Sequence, residues 1–399
     1  MTRSFLSRLD ESAVFDEELT LVTASNATVI LKNAQGQCKE YIDFMSAYGA
    51  VNFGHCNPKI QPFRDVEADI AACIYPLEAK LFAEWLCTRL GLAEHRVLFQ
   101  IGGSFAVSTA LALVQRARKG KIAAIQGAFH GLGIDSLCAT MTQRDLAIQN
   151  TALLSRIKQQ VIHLKPGTFP DDWADISCLI YEPIQGANGY IPLDMDWLKS
   201  LEHSARASGV LTIADEIQCG FFRHGSLSPA RQHGLEPDIL LYSKSMTNGL
   251  YPFSAVVYRR DLEQSIKGSV LLAHTFQTSA LGCYAANAVA SYLDSHPMDL
   301  EASRISDCFL RLKTQLEQIP IVSKIYVTGP SLSFKVANGG ARTLVRKCFQ
   351  KRVIPFVGGN SGQRVRVAPP LTISDEQLSY GIQTLFNVLK EMSLCISQT

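Results

Sequence analysis

Asp238-Ile239-Leu240-Leu241-Tyr242-Ser243-Lys244-Ser245-Met246-Thr247-Asn248-Gly249 carries a short apolar run into a turn of small residues, with one amine at the junction. A brief apolar run bounded by turn residues is the pattern of a buried strand. Upstream, Val210-Leu211-Thr212-Ile213-Ala214 is a second such run, closed by the carboxylate of Asp215 and followed by Glu216-Ile217-Gln218. Ile122-Ala123-Ala124-Ile125 before Gly127, and Cys178-Leu179-Ile180-Tyr181 before Glu182-Pro183, repeat the pattern. Between Tyr181 and Val210, an amphipathic helix is predicted from Trp197 to about Ala207, stopped by Ser208-Gly209. This alternation predicts an α/β fold on a largely parallel, buried sheet. Ligands of such sheets gather beyond the carboxyl ends of strands, where Gly127, Glu182, Asp215 and Lys244 all fall. From about Leu262 the rhythm changes to a long helix over Ala280–Leu293, and then to a smaller α+β region.

The 399 residues are enough for one large domain or two packed ones. With 47% hydrophobic and 19% charged residues the chain reads as globular, and a net charge of +2 gives no reason to expect nucleic acid or an anionic membrane as partner. No apolar stretch is long enough to span a bilayer, and Met1–Asp10 has no signal-peptide core. The 11 cysteines include no Cys-x-x-Cys pair, so reduced thiols in a cytoplasm are expected and a bound metal is not.

An acid closing one strand and a lysine closing the next suit pyridoxal 5′-phosphate (PLP). The lysine bonds the cofactor aldehyde, and the acid keeps the pyridine nitrogen protonated. Taken singly, Asp215 reads as well as a helix cap and Lys244 as a solvated loop residue. Gln218, three residues after Asp215, can reach the phenolic oxygen or lie as a surface amide. Gly102-Gly103-Ser104 before a helical run, Ala106–Arg116, offers free N–H groups to a phosphate, or a simple cap by Ser104. Phe129, in Phe129-His130-Gly131, stacks on a ring or fills core, and His130 is a cofactor neighbour or a satisfied structural histidine without an acid–base role.

Together these segments resemble the class-III, PLP-dependent aminotransferases of fold type I, over almost the whole chain. The resemblance is carried by Tyr41-Ile42-Asp43-Phe44 through Gly54-His55-Cys56-Asn57-Pro58, then Glu182-Pro183-Ile184-Gln185-Gly186 and Asp215-Glu216-Ile217-Gln218. Arg223-His224-Gly225, Pro237-Asp238, Ser243-Lys244-Ser245 and Ala368-Pro369-Pro370-Leu371 continue it in order. Ser46–His55 resembles ornithine aminotransferases. Phe5–Ser12, the lysine box and Leu371-Thr372-Ile373 resemble diaminobutyrate aminotransferases.

The resemblance implies a large domain over 51–290, with a mostly parallel seven-stranded sheet, and a smaller α+β domain from 1–50 and 291–399. By it, Lys244 and Asp215 are catalytic. Gly103, Ser104, Phe129, His130, Gln218 and Thr275 join them in holding the cofactor, and Tyr48 and Arg366 contact substrate. Thr275 reaches the phosphate of a neighbouring subunit, which implies a homodimer with shared sites. Arg366 grips a substrate carboxylate, unless it is a surface salt bridge. The substrates implied are an amine, terminal in the two relatives named, and a keto acid, 2-oxoglutarate by analogy. The chain departs from the family at Ala187, where a glutamate usually offsets the carboxylate-binding arginine, at Phe105 and Ser108, where acids are common, and at Ser279-Ala280 in place of Asn-Pro. A carrier-linked amine stays open, as do two other classes: an aminomutase or decarboxylase on the same scaffold, and a non-catalytic paralogue that binds PLP or a partner protein.

Overall fold

The apolar runs form the centre of a seven-stranded sheet. We number its strands in chain order: β1 His95–Gln100, β2 Lys121–Ile125, β3 Val161–Leu164, β4 Ile176–Tyr181, β5 Leu211–Asp215, β6 Ile239–Tyr242 and β7 Ser254–Arg259. Their order across the sheet is β1-β7-β6-β5-β4-β2-β3. All neighbours are parallel except β7, which runs against both β6 and β1. The computed structural model describes residues 15, 19–64, 66–71, 74–144, 151–268 and 275–396. Phe5–Ser12 and His274 lie outside the described residues.

Successive side chains of a strand point to opposite faces, and here both faces are covered. Leu179, Tyr181, Ala214 and Tyr242 join one core with Leu198, Leu201 and Ala205 of the helix Met195–Ala207. Their strand neighbours Cys178, Ile180, Ile213 and Leu241 join a second core with Val107, Ala110 and Val114 of the helix Gly103–Ala117. That two-sided burial is why these runs are apolar throughout instead of alternating. The helix Met195–Ala207 begins where the Asp194 side chain accepts from the N–H groups of Asp196 and Trp197, a cap worth about 1 kcal/mol. It ends before Gly209, whose φ of 71° needs no Cβ. The long helix expected from Ala280 runs to Ser295.

Two four-stranded sheets accompany this body, besides a two-stranded ribbon of Ile184–Gln185 with Ile191–Pro192. The N-terminal ribbon Leu19–Ser25, Thr28–Asn33 and Cys38–Asp43 is antiparallel. Its last strand pairs in parallel with Val353–Ile354, placing Val353 opposite Ile42. The second sheet is antiparallel and orders Val322–Val327, Leu332–Val336, Arg364–Val367 and Phe356–Gly358. Arg366 lies opposite Ser333 on one side and Phe356 on the other. Among the described residues no helix is long and apolar enough to cross a membrane.

Candidate active site

The carboxyl ends of β2, β4, β5 and β6 converge on one cavity of about 180 Å³. Gly103, Ser104, Phe129, His130, Asp215, Gln218 and Lys244 all line it, as do Glu182 and Ala187. A larger cleft of about 700 Å³ opens at the opposite ends of the central strands, around Leu211, Asp238 and Arg259. Its two buried acids are already engaged, Asp238 by Arg259 at 2.6 Å and Glu202 by the Glu236 N–H at 2.7 Å, so the smaller cavity is the candidate site.

Lys244 is set by its neighbours. Ser243 Oγ donates to the Phe253 carbonyl at 2.7 Å, and Ser245 Oγ donates to the Gly49 carbonyl. The lysine itself has a φ of 48°, in the left-handed region that residues with side chains rarely occupy. Such backbone strain collects at functional sites. The side chain is half-buried, so its amine is desolvated, and the Arg366 charge adds to the effect. Glu182 and Asp215 oppose it, and the ammonium is pushed down to about 8. In the apoprotein, reductive methylation of Lys244 by formaldehyde and cyanoborohydride is therefore expected to rise through about pH 8. Surface lysines should follow their ordinary range near 10.4. Peptide mass spectrometry across pH measures this, and a Lys244 profile matching the surface lysines would contradict it.

Asp215 is 3% exposed and both its oxygens are engaged. Oδ2 lies 2.7 Å from His130 Nδ1, and Oδ1 accepts from the Ile217 N–H at 3.1 Å. His130 is buried in turn, and its N–H donates to Thr140 Oγ1 at 2.8 Å. No helix starts at Asp215, so the capping alternative gives way to a hydrogen-bonded acid at a strand end. Glu182 was not assigned from the sequence beyond its position at a strand end. It accepts from the Phe129 N–H at 2.8 Å and from the Gly186 N–H at 2.7 Å, tying two cavity loops together. Burial, reinforced by Asp215 and opposed by His130, pushes its carboxyl up to about 7.

Gln218 is no surface amide. Its Nε2 donates to the Tyr48 carbonyl at 2.8 Å, and its Oε1 is buried without a partner. Ser104 does not cap its helix through its side chain; the N-cap is Gly102. Arg366 is 4% exposed, and among the described residues it has no ion-pair partner. Its Nη1 donates to the Gly186 carbonyl at 3.2 Å and its Nε to the Val357 carbonyl at 3.1 Å. The rings of Tyr48, Tyr190 and Phe356 lie 5.9, 5.7 and 5.9 Å from the guanidinium carbon. Arg366 is thus no surface salt bridge, and Tyr48 stands beside it. Thr275 is exposed and lies outside this lining.

The residues present fit PLP. The helix Gly103–Ala117 opens on uncapped N–H groups that suit a phosphate. A Cβ on Gly131 would stand 2.5 Å from Ser104 Oγ, so glycine keeps that cradle open. His130 Nε2 and Gln218 Oε1 are buried polar atoms awaiting partners. One amine and one buried carboxylate complete the set that an aldehyde on a pyridine ring requires.

Fold and cavity thus define an α/β protein with a lysine–acid pair at the switch edge of a mostly parallel sheet. The family model for class-III aminotransferases matches residues 13–389. Acetylornithine aminotransferase of Archaeoglobus fulgidus is 26% identical, over 92% of this chain and 97% of its own length. Ornithine aminotransferase 1 of Staphylococcus saprophyticus is 27% identical, over 88% and 90%. The solved ornithine aminotransferase of Toxoplasma gondii, which has PLP at its active site, superposes with a TM-score of 0.80, covering 94% of this chain and 92% of its own, at 22% identity. The chain belongs to the class-III aminotransferases. It is a PLP-dependent aminotransferase of fold type I.

Proposed function

We propose that this enzyme moves a terminal amino group from a carboxylate-bearing amine to 2-oxoglutarate, with Lys244 and Asp215 as its catalytic residues. The observation that carries the reading is one cavity holding Lys244, Asp215 and Gln218, with the buried guanidinium of Arg366 over the ring of Tyr48, whose carbonyl accepts from Gln218. Bound PLP supplies an aldehyde that bonds amines and a ring that accepts electrons. Lys244 Nζ, neutral in a good fraction near pH 8, takes a proton from the substrate carbon and returns one to the cofactor side. The Asp215 carboxylate holds the proton on the pyridine nitrogen, and His130 fixes the orientation of that carboxylate. Phe129 would lie against the ring, Gln218 would meet the phenolic oxygen, and Gly103 and Ser104 would hold the phosphate. Tyr48 and Arg366 receive the substrate carboxylate, which an Arg fork grips bidentately.

In this reading Thr275 completes the phosphate site of a second copy. Phe105, Leu132, Ile134 and Phe276 are each at least 50% exposed in the single chain, which supports a homodimer that covers them. The division into a body over 51–290 and a smaller domain from both ends belongs to the same reading, as does a cytoplasmic setting, where the free thiols of the described cysteines would stay reduced. Ala187 leaves Arg366 without a carboxylate partner nearby. The Arg366→Met variant is expected to raise KM for carboxylate-bearing amines by about 10- to 100-fold, the loss of charge-assisted hydrogen bonds. Unchanged KM would remove Arg366 from the substrate site.

The deciding experiment titrates the holoenzyme with ornithine, diaminobutyrate, lysine, 4-aminobutyrate and alanine while following the visible absorbance of the bound cofactor. Bleaching by terminal-amine donors, reversed by 2-oxoglutarate, is the expected result. Bleaching by alanine alone would replace a terminal amine with an α-amine.

A further inference from the structure

Arg223 is a fully buried arginine that the chemistry above does not use. Its Nη1 donates to Ser46 Oγ at 3.3 Å, to Asn52 Oδ1 at 3.0 Å and to the Ala368 carbonyl at 3.4 Å. Its Nη2 donates to the Pro330 carbonyl at 3.2 Å. Three distant segments therefore meet on one side chain: the turn at 46–52, the loop at Pro330, and the chain two residues past Arg366. Ser46 Oγ closes the circuit by donating to the same Ala368 carbonyl at 2.7 Å. Among the described residues no carboxylate pairs with Arg223, and burial pushes its guanidinium down to about 10, which leaves it charged at neutral pH.

The turn it holds is strained. Ser46, Ala47, Tyr48 and Gly49 have φ values of 49°, 47°, 60° and 76°. Three consecutive side-chain-bearing residues in the left-handed region need an outside restraint to persist. Asp43 Oδ1 supplies part of it by accepting from the Met45 and Ser46 N–H groups at 2.7 and 3.1 Å. A Cβ on Gly49 would stand 3.3 Å from Arg223 Cδ, so the turn packs directly on the arginine stem. The turn presents the Tyr48 ring to Arg366 and its carbonyl to Gln218.

We propose that Arg223 is a positioning residue for substrate carboxylates, locking the strained Tyr48 turn to the strand of Arg366 so that both stand as one wall. The inference rests on Arg366 being the carboxylate site. A polar clamp suits this place because Nη1 reaches the Ser46–Asn52 turn and the Ala368 carbonyl while Nη2 reaches the Pro330 carbonyl, a registration that an apolar side chain could pack against but not supply. Lysine lacks the fork needed to reach Ser46 and Pro330 together.

The test measures glutarate binding to holoenzyme by calorimetry, together with the visible absorbance of the bound cofactor, in wild type, Arg366→Met, Arg223→Met, Arg223→Lys and Ser46→Ala. Arg223→Met is expected to weaken glutarate on the order of tenfold, with cofactor absorbance and retention unchanged, since small misplacements of a binding group have effects of this size or larger. Arg223→Lys should fall between it and wild type. If Arg223→Met does not fold or hold cofactor, Ser46→Ala decides, with a weaker glutarate affinity expected on an intact cofactor band. Wild-type affinity in Ser46→Ala and in the folded Arg223 variants, with Arg366→Met impaired, overturns the positioning role and leaves the carboxylate site standing. Wild-type affinity in Arg366→Met, or no glutarate binding by wild type, overturns the carboxylate site and the inference with it.

Discussion

Lys244→Ala is expected to abolish turnover, with kcat falling by about 10⁴-fold or more, because in the proposed mechanism one side chain would serve both as the anchor for the aldehyde and as the base for the proton. No other amine lines the cavity. Its position follows from a fully buried strand, Ile239–Tyr242, and from two serine hydroxyls that pin the residues on either side. Its lowered pKa follows from desolvation and from Arg366. Alanine keeps the strand and both serines, so the variant should fold and its thermal midpoint should stay near wild type. A single-turnover assay with the best donor from the titration panel measures the loss. A variant that keeps turnover within tenfold of wild type would sink the assignment of Lys244.

Asp215→Ala comes second, with kcat expected to fall by about 10²- to 10³-fold and cofactor retention reduced far less. Its proposed role is electrostatic: a buried carboxylate that stabilises a cation acts strongly because water does not screen it. The phosphate end of the cradle does not involve it, so binding and turnover should separate. Alanine also strands His130, whose Nδ1 loses its partner 2.7 Å away. Asp215→Asn keeps an acceptor for the Ile217 N–H but removes the charge, and it should behave nearly as badly in turnover. Equal kcat in wild type and Asp215→Asn would remove the charge from the mechanism.

Much of this was legible in the sequence because strands buried on both faces announce themselves as short, uniformly apolar runs. The residues that end β4, β5 and β6 are the polar exceptions at those borders, and so Glu182, Asp215 and Lys244 could be located by inspection. The helix starting at Gly103 was legible for the same reason, through its glycine-rich entrance. What local pattern could not carry was partnership. His130 and Asp215 are remote in sequence and meet only because β2 and β5 lie on either side of β4. The two backbone anchors of Glu182 and the four hydrogen bonds of Arg223 leave no trace in periodicity, since neither depends on a repeating face. The left-handed turn at Ser46–Gly49 goes against local propensity, and tertiary restraint holds it.

The parallel pairing of Val353–Ile354 with Cys38–Asp43 bears on how the molecule is made. During synthesis the ribbon emerges well before its partner strand, and one edge of Cys38–Asp43 stays uncovered until Val353–Ile354 has left the ribosome. The cofactor cradle, by contrast, is encoded by residues up to Lys244, while Arg366 follows roughly 120 residues later, a delay on the order of ten seconds at ordinary elongation rates. A nascent chain stalled in that interval would carry the amine of Lys244 without the arginine proposed to select what reaches it.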